Sequence, residues 1–191
     1  MRFGIANVVY STVIFMIGCD WHELTPTVDT GSVPELSYGV GRHGHFDTTI
    51  DECTEFIRRN PQDARAYYER ALTYGHLDQH AKAIDDFTQC LSLTPNDSLS
   101  FHGRAIAYFL LNRYSAAIAD FTSAIRLVPT DAESHYGRGL CFGRVGDVEQ
   151  ALQDFQHAIE LNPSMSRAYY AIEQTKENLE RKKTGRDGDS T

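Results

Sequence analysis

The sequence predicts an all-α solenoid, a row of helical hairpins stacked on one another, and three observations carry that prediction. Pro61, Pro95, Pro129 and Pro163 stand 34 residues apart. The segments that end at the last three align without a gap: AIDDFTQCLSLTP at 83–95, AIADFTSAIRLVP at 117–129 and ALQDFQHAIELNP at 151–163. Each period also holds two stripes of apolar residues at helical spacing. A 34-residue period closed by Pro marks stacked helix–turn–helix units, which form binding surfaces more often than active sites.

The first unit shows how each element arises. Ala64, Tyr67, Tyr68, Ala71 and Leu72 recur at i, i+3, i+4, i+7 and i+8, one apolar stripe along a helix. Ala83, Ile84, Phe87 and Leu91 repeat the pattern for a second helix. His76-Leu77-Asp78-Gln79-His80 leaves room only for a tight turn, and Asn112 and Gly146 in the equivalent turns both tolerate left-handed backbone. Each closing Pro ends the second helix, because it lacks an N–H and disfavours α geometry in the residue before it. Asp63, Asp97 and Asp131 follow two residues later, placed to cap the next helix.

These residues resemble the tetratricopeptide repeat family over three units, 64–97, 98–131 and 132–165. The family's signature positions are Tyr67, Ala71, Tyr74, Ala83, Phe87, Cys90 and Pro95 in the first. They are Phe101, Ala105, Tyr108, Ala117, Phe121, Ala124 and Pro129 in the second, and His135, Gly139, Phe142, Ala151, Phe155, Ala158 and Pro163 in the third. Three units are near the minimum for a continuous core, so the ends need caps. Ile50, Cys53, Phe56 and Ile57 mark an orphan helix at about 46–59. Ala168, Tyr169, Ile172 and Leu179 mark a closing helix at 166–182, polar on its other faces. The repeat domain is therefore expected at 46–182.

Arg70, Arg104 and Arg138 each precede an Asp by 16 residues: Asp86, Asp120 and Asp154. They are expected to form partly buried salt bridges, since a buried guanidinium needs a carboxylate. An arginine ladder for anionic ligands is the alternative. Cys53, Cys90 and Cys141 fall at apolar helix positions and are expected to pack as small hydrophobes.

The N-terminus carries a separate signal. After Arg2, Phe3 to Gly18 is uncharged, short for a membrane span and suited to a signal-peptide core. It ends Met16-Ile17-Gly18-Cys19, which resembles a bacterial lipobox. The resemblance implies a signal peptide at 1–18 and a diacylglycerol and further fatty acyl chain on Cys19. Burial of each acyl CH₂ contributes about 0.8 kcal/mol, so two or more chains hold a protein at a membrane. An ordinary cleaved signal and an uncleaved anchor are the alternatives. Residues 19–45, rich in Thr, Gly, Ser and Pro, read as a flexible tether, and 183–191 as a disordered tail. The expected location is a bacterial cell membrane, lipid-anchored, on its periplasmic or extracytoplasmic face.

Other chemistries find little support. The net charge of −8 argues against a nucleic-acid partner and against electrostatic attachment to anionic lipid. No G-x-S-x-G, H-E-x-x-H or P-loop is present. Of the eight His, His22, His43 and His45 lie in the tether, and His76 and His80 straddle a turn. No zinc set is evident, and the expectation is no metal, no cofactor beyond the lipid, and no catalysis.

The resemblance implies that the first helix of each unit lines a concave groove. Its positions here are Arg65, Tyr68, Leu72 and His76; Leu99, His102, Ile106, Phe109 and Leu110; Glu133, Tyr136, Leu140 and Arg144; and Arg167 and Tyr170 on the closing helix. The chaperone-binding branch of the family clamps a terminal carboxylate with Lys, Asn and Arg at such positions. Here Tyr68, Leu72, Gly103, Glu133 and Gly137 occupy them, so that clamp is absent. The leading expectation is a membrane-tethered adaptor in bacterial envelope assembly that binds protein or peptide segments. The alternatives are a structural protein that forms homo-oligomers through the same groove, and an envelope enzyme or metal-binding accessory using the tether histidines.

Overall fold

The computed structural model describes residues 46–184. The proposed signal peptide, Cys19, the tether and most of the tail lie outside the described residues. Eight helices follow one another: α1 (Phe46–Arg59), α2 (Ala64–His76), α3 (His80–Leu93), α4 (Ser98–Leu110), α5 (Tyr114–Leu127), α6 (Ala132–Val145), α7 (Val148–Leu161) and α8 (Ser166–Lys183). There is no strand among the described residues. None of these helices is long and apolar enough to cross a membrane.

The expected hairpins are α2–α3, α4–α5 and α6–α7, with α1 and α8 packed on the ends. Each helix packs chiefly on its neighbours in sequence. The first helices of successive hairpins also touch (α2 with α4, α4 with α6, α6 with α8), while successive second helices touch less. The row therefore bends toward its first helices, which places them on the inner face.

The same two connections recur at each step. Within a hairpin the chain passes through a left-handed residue: Asp78 (φ 56°), Asn112 (φ 58°) and Gly146 (φ 89°). The next amide then reaches back five residues, from Gln79 to Tyr74 O (2.9 Å), Arg113 to Tyr108 O (2.8 Å) and Asp147 to Phe142 O (2.9 Å). This is the Schellman closure, which uses carbonyls the helix end would leave open. Between hairpins, Pro61, Pro95, Pro129 and Pro163 each follow the first residue of a four-residue turn. The amides of Asp63, Asp97, Asp131 and Met165 close those turns onto the carbonyls of Asn60, Thr94, Val128 and Asn162 at 3.1–3.2 Å. The Asp63, Asp97 and Asp131 carboxylates then cap α2, α4 and α6, as the sequence predicts. Met165 has no such side chain to offer and is buried instead.

Small residues let the helices of a hairpin meet, and a Phe fills the space beside them. Ala71 with Ala83, and Ala105 with Ala117, are fully buried where the helices cross, and Gly139 with Ala151 takes that place in the third hairpin. Phe87, Phe121 and Phe155 sit next to these contacts at 1–2% exposure. Gly103 and Gly137 pass over the tips of Phe87 and Phe121 so closely that a Cβ would stand 2.4 Å from a ring carbon. All three described cysteines are buried, as expected.

The Arg–Asp pairs form as predicted, each within one hairpin. Arg70 donates Nε and Nη2 to Asp86 (both 2.7 Å), Arg104 to Asp120 (2.7 and 2.9 Å) and Arg138 to Asp154 (both 2.8 Å). The third nitrogen of each fork, Nη1, reaches the helix just before the hairpin (α1, α3 or α5), at Thr54, Thr88 and Thr122 Oγ1 (2.9–3.1 Å). Each guanidinium therefore joins three helices. Aromatic rings flank it, Tyr67 and Tyr74 around Arg70 and Phe101 and Tyr108 around Arg104. The guanidiniums are spent on the fold, and the alternative of a ladder for anionic ligands finds no support in this geometry.

Candidate functional site on the inner face

The inner face is ruled by the 34-residue period, so its side chains stand in columns across α2, α4, α6 and α8. One column is Tyr68, His102, Tyr136 and Tyr170. Its first three members lie edge-on or tilted against Phe87, Phe121 and Phe155, with ring centroids 5.6–5.8 Å apart. Tyr170 has no second helix behind it among the described residues and is 56% exposed.

A second column is Arg65, Leu99, Glu133 and Arg167. Arg65 is exposed and Leu99 half-buried. Glu133 accepts a hydrogen bond from Arg167 Nη2, a tie from α6 to α8, and the Arg167 guanidinium lies 5.1 Å from the Tyr136 ring centroid. Burial pushes the Glu133 carboxyl above its ordinary value despite Arg167. Burial likewise raises the Tyr136 phenol, to about 12. Glu133 Oε2 and Arg167 Nε are buried without a hydrogen-bond partner, so this pair is incompletely satisfied.

His102 links α4 to α6, its Nδ1 2.8 Å from Ser134 Oγ and 3.6 Å from Asp131 Oδ2. Burial alone would raise the Asp131 carboxyl, but His102 and Ser134 offset this and hold it below its ordinary value. His102 is thus a structural contact between units as well as a groove residue.

Beside the half-buried Glu133, the structure divides the other fourteen expected groove residues by depth. Arg65, His76, Arg144 and Tyr170 are exposed. Tyr68, Leu72, Leu99, His102, Leu140 and Arg167 are half-buried. Ile106, Phe109, Leu110 and Tyr136 are buried at 2–7% exposure, so only part of the expected groove is open. The reason is position. α4 is the first helix of the middle hairpin, and Ile106, Phe109 and Leu110 pack in one cluster with Phe121 and with Cys141 of α6. Tyr136 is closed off by Phe155, Met165 and Ala168. The accessible surface is therefore a shallow apolar floor with its most open side chains toward the two ends. Gly103 and Gly137, where the clamp residues of the chaperone-binding branch would stand, have no room for any side chain.

A further group lies off this face, between α6 and α7: His135, Asp154 and His157 offer ligand atoms all within 4.8 Å of one another. Linear spacing does not reveal it, because His135 and His157 belong to opposite arms of a hairpin.

The tetratricopeptide repeat model matches residues 64–97 and 132–165, and a second TPR repeat model matches 105–146. No curated protein matches the chain at a significant level. Several solved structures share the fold. The crystal structure of MamA is 23% identical, with a TM-score of 0.70, and the match covers 71% of this chain and 80% of that one. The first TPR domain of Spaghetti (RPAP3), bound to the HSP90 peptide SRMEEVD, is 24% identical with a TM-score of 0.60, covering 62% and 94%. The TPR domain of Arabidopsis OM64 is 22% identical with a TM-score of 0.59, covering 60% and 94%.

Proposed function

Because this chain belongs to the tetratricopeptide repeat family, we propose that it is an adaptor whose inner face holds a segment of a protein partner. The observation that carries this reading is Tyr170. It continues a column whose other rings are all packed, yet it remains open beside the apolar floor. Arg65 on α2 and Arg144 on α6 are exposed cations. An amphipathic helix or extended segment, apolar along its middle and acidic toward its ends, fits that arrangement. A TPR domain of this fold, the first of RPAP3, is bound to an HSP90 peptide, which supports a peptide or protein segment as the kind of partner. A terminal-carboxylate clamp is not part of the reading here, since Gly103 and Gly137 carry no side chain.

We extend the proposal to location: the adaptor is held at a bacterial envelope membrane by acyl chains on Cys19, with 19–45 as its tether. The lipobox-like Met16-Ile17-Gly18-Cys19 supports this part. Mass spectrometry of the mature N-terminus tests it, and an unmodified Cys19 still joined to Gly18 would overturn it. For the groove, the triple variant Arg65→Glu, Arg144→Glu, Tyr170→Ala changes only exposed side chains. It should retain full helicity and lose the partner captured by cross-linking from native membranes. Equal capture by the variant would move binding to another surface.

A further inference from the structure

The third hairpin differs from the other two at positions that meet in space. Where the first carries Tyr67 and Gln89 and the second Phe101 and Ser123, the third carries His135 and His157. Both flank Asp154, the carboxylate common to all three hairpins. The ring centroids of His135 and His157 are 5.5 Å apart, and His135 Nδ1 lies 3.7 Å from Asp154 Oδ1.

We propose that His135, Asp154 and His157 form a binding site for a divalent transition metal of the zinc type. This replaces the expectation of no metal, which weighed only the tether histidines and the His76–His80 turn. His135 is 92% buried, at 8% exposure, and its Nδ1 has no hydrogen-bond partner. Its other nitrogen, Nε2, lies 3.2 Å from the Pro129 carbonyl. A carbonyl can only accept, so in the neutral ring the proton sits on Nε2 and the Nδ1 lone pair is directed at the cluster. Metal-bound histidines are oriented in this way, with the distal N–H held by a carbonyl or carboxylate. A lone pair buried without a donor is otherwise an unrewarded loss of hydration.

Asp154 has capacity to share. Arg138 takes one lone pair on each oxygen, at 2.8 Å, and a carboxylate offers about four. The guanidinium's charge opposes a cation, so the site binds more weakly than one with an unpaired carboxylate. His157 is half-buried, which leaves an entry path for the ion. Ligand atoms of a tetrahedral zinc site stand about 3.4 Å apart, from bonds of about 2.0–2.1 Å. Zinc would draw the present spread of up to 4.8 Å in to that value, chiefly by turning His157, with water as the fourth ligand. The metal would pin α6 to α7 in the hairpin that carries the Glu133–Arg167 tie.

The test is zinc titration of the purified full chain beside His135→Phe/His157→Ser, which installs the second hairpin's own residues. The wild type should bind one equivalent of Zn²⁺ more than the variant. At about a hundredfold excess over Kd its Tm should rise by roughly 5–10 °C, a shift the variant lacks. NMR of the imidazole groups gives a second readout that does not depend on the variant's fold: the His135 and His157 resonances should move on zinc addition. Equal stoichiometry and equal Tm shift in both proteins, or unmoved His135 and His157 resonances in the wild type, would overturn the site. Zinc bound only by His22, His43 or His45 would produce that overturning pattern.

Discussion

Replacing Gly103 with Ala should destabilise the protein, although alanine is the better helix former. In the middle of α4 the exchange gains about 0.5–1 kcal/mol from propensity alone. The new Cβ, however, would stand 2.4 Å from Phe87 Cζ and 2.9–3.0 Å from both Cε atoms. Phe87 is 1% exposed and lies beside Ala71 and Ala83, both fully buried, so the ring has little room to retreat. Overpacking of this kind costs about 1–3 kcal/mol. The net expectation is a loss of up to about 2.5 kcal/mol, centred on about 1 kcal/mol, which lowers Tm by roughly 2–8 °C at that centre. Gly75→Ala is the internal control. It sits in α2 with nothing within 4 Å of its added Cβ, so it should gain up to about 1 kcal/mol. The assay is urea unfolding followed by circular dichroism, with both variants and Gly103→Ala in a Phe87→Leu background. In that background the penalty should vanish, because the ring tip is gone. A Gly103→Ala protein as stable as Gly75→Ala would refute the claim that this glycine exists for close approach.

Asp120→Ala should cost about 3–5 kcal/mol in urea unfolding, since it strands the Arg104 guanidinium among Phe101, Tyr108 and Thr88. Arg104→Met with Asp120→Leu should lose much less, because neither charge is then left behind. His80 governs a pH effect. Burial lowers its pKa from 6.5 despite Asp78. The unfolded chain therefore takes up the proton first, and stability falls as pH drops below about 6.5 through the folded pKa. His80→Tyr, the residue at this position of the second hairpin, should flatten that part of the stability–pH curve, measured by thermal unfolding between about pH 7 and 5.

The hairpins, their caps and the Arg–Asp pairs were legible because each depends on spacing along the chain. Pro61 to Pro163 mark turns that recur at one period, and the 16-residue Arg-to-Asp offset spans a hairpin whose geometry that period sets. Depth was not legible. Ile106, Phe109 and Leu110 share the stripe that contains Leu72 and Leu140 or lie beside it, but α4 has complete hairpins on both sides and they close over it. Tyr136 and Tyr170 occupy the same repeat position, and only the first has Phe155 behind it. Contacts that cross between hairpins also escaped, because Thr54, Thr88 and Thr122 are ordinary polar helix residues until an Arg from the next hairpin reaches them. The His135–His157 meeting was hidden for a related reason, as its members differ from the repeat pattern separately and come together only when the hairpin folds.

The most direct test of the adaptor reading is site-specific photo-cross-linking in cells that express the full chain. A photoreactive residue goes at Arg65 or Tyr170 on the inner face, and at Gln89 or Gln153, exposed on the second helices. The account predicts that the inner-face positions yield one discrete cross-linked partner and the second-helix positions do not. Cross-links from Gln89 or Gln153 with none from Arg65 or Tyr170 would contradict it.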